Sequence, residues 1–223
     1  MGHVIGAILP LAIGIAISPI PIIAAILMLL SPKAKGTSVG FLLGWIIGIL
    51  VAVTVFTLLS SVLPDADSDE SKPLQGVIQI VLGVALLFLA LRQWRSRPQP
   101  GMNAVLPKWM SAIDTMTAGK GFGLGFLLAA VNPKNLLLGA AAGVAIGGAG
   151  LAAGPAAVVI GVFTLIAAAS VAIPVIAYLV ASKSMTGPLE SLRRWLVHNN
   201  STVMAVLLLV IGFVLIGKGI AAF

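Results

Sequence analysis

The chain has 223 residues, of which 60% are hydrophobic and 9% charged, and its mean hydropathy is +1.16. Soluble domains run at about 45–50% apolar and about 25% charged, so a soluble fold would lack the polar residues to cover its surface, and disorder needs the opposite composition. Without cysteine, disulfide, iron–sulfur and thiolate-metal chemistry are excluded, and the net charge of +7 reads as a positive-inside excess rather than a nucleic-acid footprint.

A spanning helix takes about 20 apolar residues. Apolar segments run at roughly 4–30, 37–63, 73–91, 120–148, 151–181 and 201–222. They are longer than the strands of a membrane barrel and apolar all round, so helices are expected. The predicted fold class is an all-α polytopic membrane protein with six transmembrane helices. Met1-Gly2-His3 lacks a basic leader and the stretch to Leu30 is too long for a signal peptide's apolar core. The first helix is therefore expected to stay in the mature protein.

The loops carry the charge. Lys33 and Lys35 lie between the first and second segments. Arg92, Arg95, Arg97, Lys108 and Lys120 lie between the third and fourth, and Lys183, Arg193 and Arg194 between the fifth and sixth. The alternate loops have only Lys72, beside Asp65, Asp67, Asp69 and Glu70. This bias predicts a multi-pass protein of the bacterial plasma membrane with the basic loops in the cytoplasm and both termini extracytoplasmic. In the long third loop, Val105, Leu106, Trp109, Met110, Ile113 and Met116 recur at helical spacing, which predicts an amphipathic interfacial helix. It either anchors the following span or guides lipid.

Aligning Pro19 with Pro133 sets Ser18-Pro19-Ile20-Pro21 over Asn132-Pro133-Lys134-Asn135, Gly36 over Gly150 and Gly40 over Gly154; with another offset Gly83 matches Gly212. The chain then divides into a first three-helix repeat at 1–91, a basic loop at 92–119 and a second repeat at 120–223. An odd number of spans per half makes the halves inverted, an arrangement typical of secondary transporters with a midplane site on interrupted helices. Ser18 and Asn132 are good N-caps, and proline is favoured at the first helical position. Each motif thus reads as a break in the first or fourth helix followed by a restarted half-helix, whose free N–H groups and positive dipole end would face the midplane.

Lys134 adds a full charge there, at a cost of about 3 kcal/mol or more in the bilayer centre. No Asp or Glu lies inside a span. The partner of Lys134 is then either an anionic substrate or free carbonyls of the broken first helix. The candidate binding set is Ser18, Pro19, Pro21, Asn132, Pro133, Lys134 and Asn135. Lys218, near the end of the last span, is expected to snorkel to the surface. His3 and His198 lie at interfaces, Trp45 lies within the second span, and Trp94, Trp109 and Trp195 read as interfacial anchors. Gly36, Gly40, Gly44 and Gly48 in the second helix, and Gly139, Gly143 and Gly147 in the fourth, form ridges for close helix packing. Those ridges serve packing inside one subunit, a homodimer seam or a sliding surface. Pro155 and Pro174 are expected to bend the fifth helix.

Together these features resemble the lysine-exporter superfamily, and within it the actinobacterial sulfolipid- or peptidoglycolipid-addressing proteins. The resemblance rests on Ser18-Pro19-Ile20-Pro21, on Ser31-Pro32-Lys33-Ala34-Lys35-Gly36 and on the stretch from Gly123 to Asn135. Thiol-relay relatives need paired cysteines, metal exporters histidine-rich loops and tellurium-resistance-like members acidic spans, all missing here. The resemblance implies export of a glycolipid, peptidoglycolipid or similar anionic amphiphile toward the cell surface. The alternatives are a small-solute exporter of amino-acid-like compounds and an accessory subunit of a larger lipid-export complex. No cofactor or metal is expected, and no enzyme activity, since no intramembrane acid, histidine or thiol is available for acid–base or nucleophilic work.

Overall fold

A computed structural model describes residues 1–61, 71–97 and 108–223. The acidic residues from Asp65 to Glu70, and Val105 and Leu106 of the basic loop, lie outside this set. The described residues are helical, with no strand among them. The helices are α1 (Gly2–Ala16), α2 (Pro19–Leu29), α3 (Ala34–Ser60), α4 (Ser71–Arg95), α5 (Ala118–Ala130), α6 (Pro133–Gly147), α7 (Ala153–Ser182) and α8 (Ser184–Ile220). Four of them, α3, α4, α7 and α8, are each long and apolar enough to cross a membrane. The pairs α1–α2 and α5–α6 are bent by 50° and 61° and bring the number of candidate spans to six if each pair is one. Large apolar side chains such as Leu58, Phe88, Leu165, Ile173, Val180 and Phe213 are exposed on the outer faces, as suits a lipid solvent.

Several boundaries differ from the sequence reading. Helix α8 starts at Ser184, so the polar stretch to Asn200 continues the last span instead of forming a loop. At 1.5 Å per residue its 37 residues run about 55 Å, well beyond a hydrocarbon core of about 30 Å. The Arg193 guanidinium grips Glu190 with two bonds of 2.6 and 2.8 Å on this extension. Pro155 does not bend α7: it sits in the first turn, where an N–H has no helical acceptor to lose. Pro174 is internal, but the non-helical residue is Ala181 (φ −139°, ψ 52°), where α7 passes into α8.

The interfacial segment is also different. Lys108–Thr115 is a 3₁₀ helix packed on α2. Met110 and Ile113 are buried and Met116 packs against the same core. Their spacing of three residues forms one ridge of a three-residue turn, and that ridge is covered by protein.

Glycines set the distances between helices. A Cβ on Gly40 or Gly44 would collide with the carbonyl oxygen of Ala118 or Phe122, and one on Gly125 with that of Phe41. Helices α3 and α5 therefore meet backbone to backbone. Gly48 faces Ala129, while Gly36 has only an ordinary 3.9 Å neighbour in Ala118. On α6, Gly143 and Gly147 abut Phe56, Thr57 and Ser60 of α3, and Gly139 faces Ala52 at 3.9 Å. Both ridges thus pack within the chain, closely at Gly40, Gly44, Gly48, Gly143 and Gly147 and more loosely at Gly36 and Gly139. Helix α4 crosses α8 on two further glycine pairs, Gly76 with Gly219 and Gly83 with Gly212. Trp45 is fully buried and stacked on Phe41, ring centroids 6.5 Å apart.

The helix ends sort to two poles. His3, Gln75, Gly148 and Ala221 gather at one, and Ser31, Lys33, Lys35, Thr117 and Ser182 at the other. The second is the basic pole, toward which α4 carries Arg92 and Arg95 in its last turn.

Candidate functional site

The two helix breaks are built alike. At the first, Ser18 takes an extended backbone (φ −89°, ψ 108°) and Pro19 opens α2. At the second, Asn132 is extended (φ −62°, ψ 123°) and Pro133 opens α6. Only the second is capped by its side chain: Asn132 Oδ1 accepts from the Lys134 backbone N–H at 3.1 Å. The Ser18 hydroxyl makes no such bond, contrary to its expected role. A capping oxygen takes the N–H of the second or third helical residue; the third here is Pro21, which has none, and the second, Ile20, is not reached by the hydroxyl. The expected row of free amides shrinks accordingly, to Ile20 in the first turn of α2 and Asn135 in that of α6.

Lys134 is buried, 6% exposed, and its Nζ donates to Gly14 O at 2.9 Å. Gly14 lies in the last turn of α1, which stops at Ala16 and leaves its final carbonyls without helical donors. A cation is favoured at such a C-terminus. Of the two partners open to Lys134 in the sequence, the carbonyl of the broken first helix is the one it meets. Asn135, 1% exposed, has the matching part on its own side: its Nδ2 donates to Leu128 O in the last turn of α5 at 2.8 Å. Its Oδ1 is buried with no partner among the described residues.

A cavity of about 340 Å³ opens beside these groups toward the basic pole. Ser18, Ile20, Asn132, Pro133 and Lys134 line it, facing Leu89, Arg92, Gln93 and Ser96 of α4 and Met204 and Leu208 of α8. Pro19, Pro21 and Asn135 are not in its wall; they shape the turns behind it. Arg92, Gln93 and Ser96 were not among the residues expected from sequence. Their signal was present: Leu89, Arg92, Gln93 and Ser96 share one helical face, but Arg92 was absorbed into the loop charge bias.

A second cavity, of about 560 Å³, opens at the opposite pole and includes Leu11, Ala141, Ala145 and Leu215 in its wall. One layer divides the two. Gly14 is pressed between Leu138 and Ile211, so closely that a Cβ there would stand 2.5 Å from Ile211 Cδ1 and 3.0 Å from Leu138 Cδ1. Leu11, Gly14 and Ser18 follow one face of α1 and its break. Lys134, Leu138 and Ala141 follow one face of α6, and Leu208, Ile211 and Leu215 one face of α8. On each element the dividing residue is about one turn from either cavity.

Residues 8–221 match the family model described as Sap, sulfolipid-1-addressing protein. The chain belongs to this family. The match takes in both breaks, the cavity at the basic pole, the layer at Gly14 and all of the second cavity's wall except His3, Val4, Gly6 and Ala7, so nearly the whole arrangement lies inside the sulfolipid-addressing family's own span. No curated protein and no solved structure matches the chain.

Proposed function

We propose that this protein carries an anionic amphiphile, a sulfolipid or a similar glycolipid or peptidoglycolipid, across the plasma membrane toward the cell surface. The observation that carries the reading is the pair of cavities opening at opposite poles, with a single layer at Gly14, Leu138 and Ile211 between them. Exposing the helix breaks first to one pole and then to the other requires only that this layer part on one side and close on the other. The headgroup binds Lys134, Asn132, Ser18 and Arg92 in the cavity at the basic pole, with charge-assisted hydrogen bonds as the main attraction. The acyl chains stay at the lipid face, where an apolar groove of about 470 Å³ runs along the outer side of α4 and α8 past Leu87, Leu91, Trp94, Leu209 and Phe213.

In this reading the chain has six spans in two inverted halves, each with a broken first helix. The facing of Gly83 and Gly212 supports it, because matched positions of two halves meet at a pseudo-two-fold axis. The basic pole is cytoplasmic and the termini are outside, as the loop charges require.

The test is reconstitution into liposomes containing a fluorophore-labelled sulfated galactosylceramide, with bleaching by an impermeant reductant. Protein-free liposomes lose only the outer-leaflet signal. Liposomes with the protein are expected to lose most of the inner-leaflet signal as well. A second reading, export of a small water-soluble solute, draws on cavity volumes that fall within the usual range for small-molecule sites. Solute flux without lipid movement would establish it in place of the first. Inactivity alone, with activity recovered in a purified stable complex, would make the chain an accessory subunit.

A further inference from the structure

The cavity at the pole of the termini has a polar side that the sequence reading did not foresee. His3 of α1, Gln75 and Gln79 of α4 and Lys218 of α8 all line it. Lys218 does not snorkel free: it is half-buried, and its Nζ donates to Ala7 O at 3.0 Å. The setting of that carbonyl is unusual. Pro10 lies inside α1 and supplies no N–H to Gly6, so the ladder is interrupted one residue before Ala7.

The two cavities share a design. In each, a lysine from a later helix donates to a carbonyl of α1, Lys134 to Gly14 and Lys218 to Ala7. In each, α4 contributes side-chain N–H donors, Arg92 and Gln93 to one and Gln75 and Gln79 to the other. Neither wall contains an Asp or Glu among the described residues. An ammonium offers three N–H donors, and one carbonyl takes only one of them. Lys218 and two glutamine amides around a cavity without a carboxylate have the chemistry to take a sulfate, phosphate or carboxylate group.

We infer that the cavity lined by His3, Gln75, Gln79 and Lys218 is a second anion-binding site, which receives the substrate headgroup after it passes the layer at Gly14. This rests on the transport reading above and adds to it a release station of the same chemical class as the loading one. A headgroup leaving Lys134 meets a second cation about two helical turns further along α1, since Gly14 and Ala7 are seven residues, roughly 10 Å, apart. The Lys134–Gly14 and Lys218–Ala7 bonds keep each ammonium partnered while its cavity is vacant, at the modest net strength of one hydrogen bond, so an anion can replace either carbonyl.

The absence of cysteine makes the test direct, because a single introduced thiol reports one place. Ala145→Cys puts the thiol in the wall of the far cavity and Ser96→Cys in that of the near one. Each variant is placed in phosphatidylcholine nanodiscs with sulfated galactosylceramide, with uncharged galactosylceramide, or with neither lipid and added sodium sulfate. Labelling by a neutral maleimide is then timed. At ten times its apparent Kd the sulfated lipid is expected to slow labelling of Ala145→Cys about tenfold, since protection follows 1 + [L]/Kd. The uncharged lipid is expected to leave the rate unchanged. Adding Lys218→Gln is expected to remove the protection and Lys218→Arg to keep most of it. The comparison of the two lipids needs no change at Lys218, so it stands even where Lys218→Gln fails to fold.

Protection at Ser96→Cys without protection at Ala145→Cys overturns the second site and leaves the transport reading in place. Protection at Ala145→Cys alone upholds the anion site and removes the loading site of the transport reading. Equal protection by the uncharged lipid overturns the anion site. Protection by sodium sulfate alone upholds it, with a free anion as the occupant.

Discussion

Replacing Lys134 by methionine separates the structural from the functional share of this residue. Methionine keeps the packing of the unbranched stem and deletes the ammonium, so the 2.9 Å bond to Gly14 O is lost and that carbonyl is left without its donor. A hydrogen bond to a charged group contributes about 1.5–3 kcal/mol. Against this stands the cost of holding a cation at bilayer depth, about 3 kcal/mol on insertion scales, which the substitution relieves. The two nearly cancel, so the Tm of Lys134→Met in detergent is expected within a few degrees of the parent. Lys134→Ala also strips about three methylenes from a buried site, worth about 0.8 kcal/mol each, and is expected to melt lower. Transport behaves differently. Losing the cation that pairs with an anionic headgroup in a low-dielectric cavity costs about 2 kcal/mol or more, which is a loss of about thirtyfold in headgroup affinity. Liposome flux of the sulfated lipid is therefore expected to fall to near background in Lys134→Met and to recover partly in Lys134→Arg, whose planar fork cannot occupy the same space. A Lys134→Met protein that melts far below the parent, with unchanged flux per folded molecule, would refute the reasoning and make Lys134 a structural tie alone.

The glycine contacts make a sharp contrast. Gly44→Ala sets a Cβ on the Phe122 carbonyl, which belongs to backbone and cannot swing aside; a loss of about 1–3 kcal/mol is expected from overpacking. Gly36→Ala finds ordinary contact at 3.9 Å and is expected to gain up to about 1 kcal/mol from helix propensity. Thermal unfolding of both in one detergent checks the pair, and equal melting would mean that α3 and α5 do not touch through their backbones. At the second break, Asn132→Ala removes the cap on Lys134 N–H and is expected to cost about 1 kcal/mol, while Asn132→Ser retains a capping oxygen and most of the stability. Removing the hydroxyl by Ser18→Ala is expected to leave the Tm nearly unchanged, because it caps no N–H. A marked drop in its Tm would show that the hydroxyl is bonded after all.

The breaks were legible because proline and capping residues act over two or three positions of chain. Pro19 and Pro133 mark the bends of 50° and 61° without any tertiary information. The exception is Ser18, whose hydroxyl leaves the one remaining amide of that turn, Ile20 N–H, uncapped. The Lys134 partner was not legible as one answer, since a backbone carbonyl at Gly14 has no residue type to announce it. Arg92 was visible but assigned to loop charge, and Lys218 was visible but assigned to the surface. For both, the missing fact was which other helix stood opposite.

Composition and hydropathy by themselves determined that this is a helical membrane protein, because a bilayer accepts only segments that satisfy their own backbone bonds. The proline motifs in turn placed the breaks and the cation beside one of them. Only the tertiary structure decided where the glycine ridges go, that α8 continues from Ser184 through a polar stretch, and that two cavities approach Gly14 from opposite poles. These depend on contacts between residues far apart in the chain, and no local spacing encodes which faces of separate helices will meet.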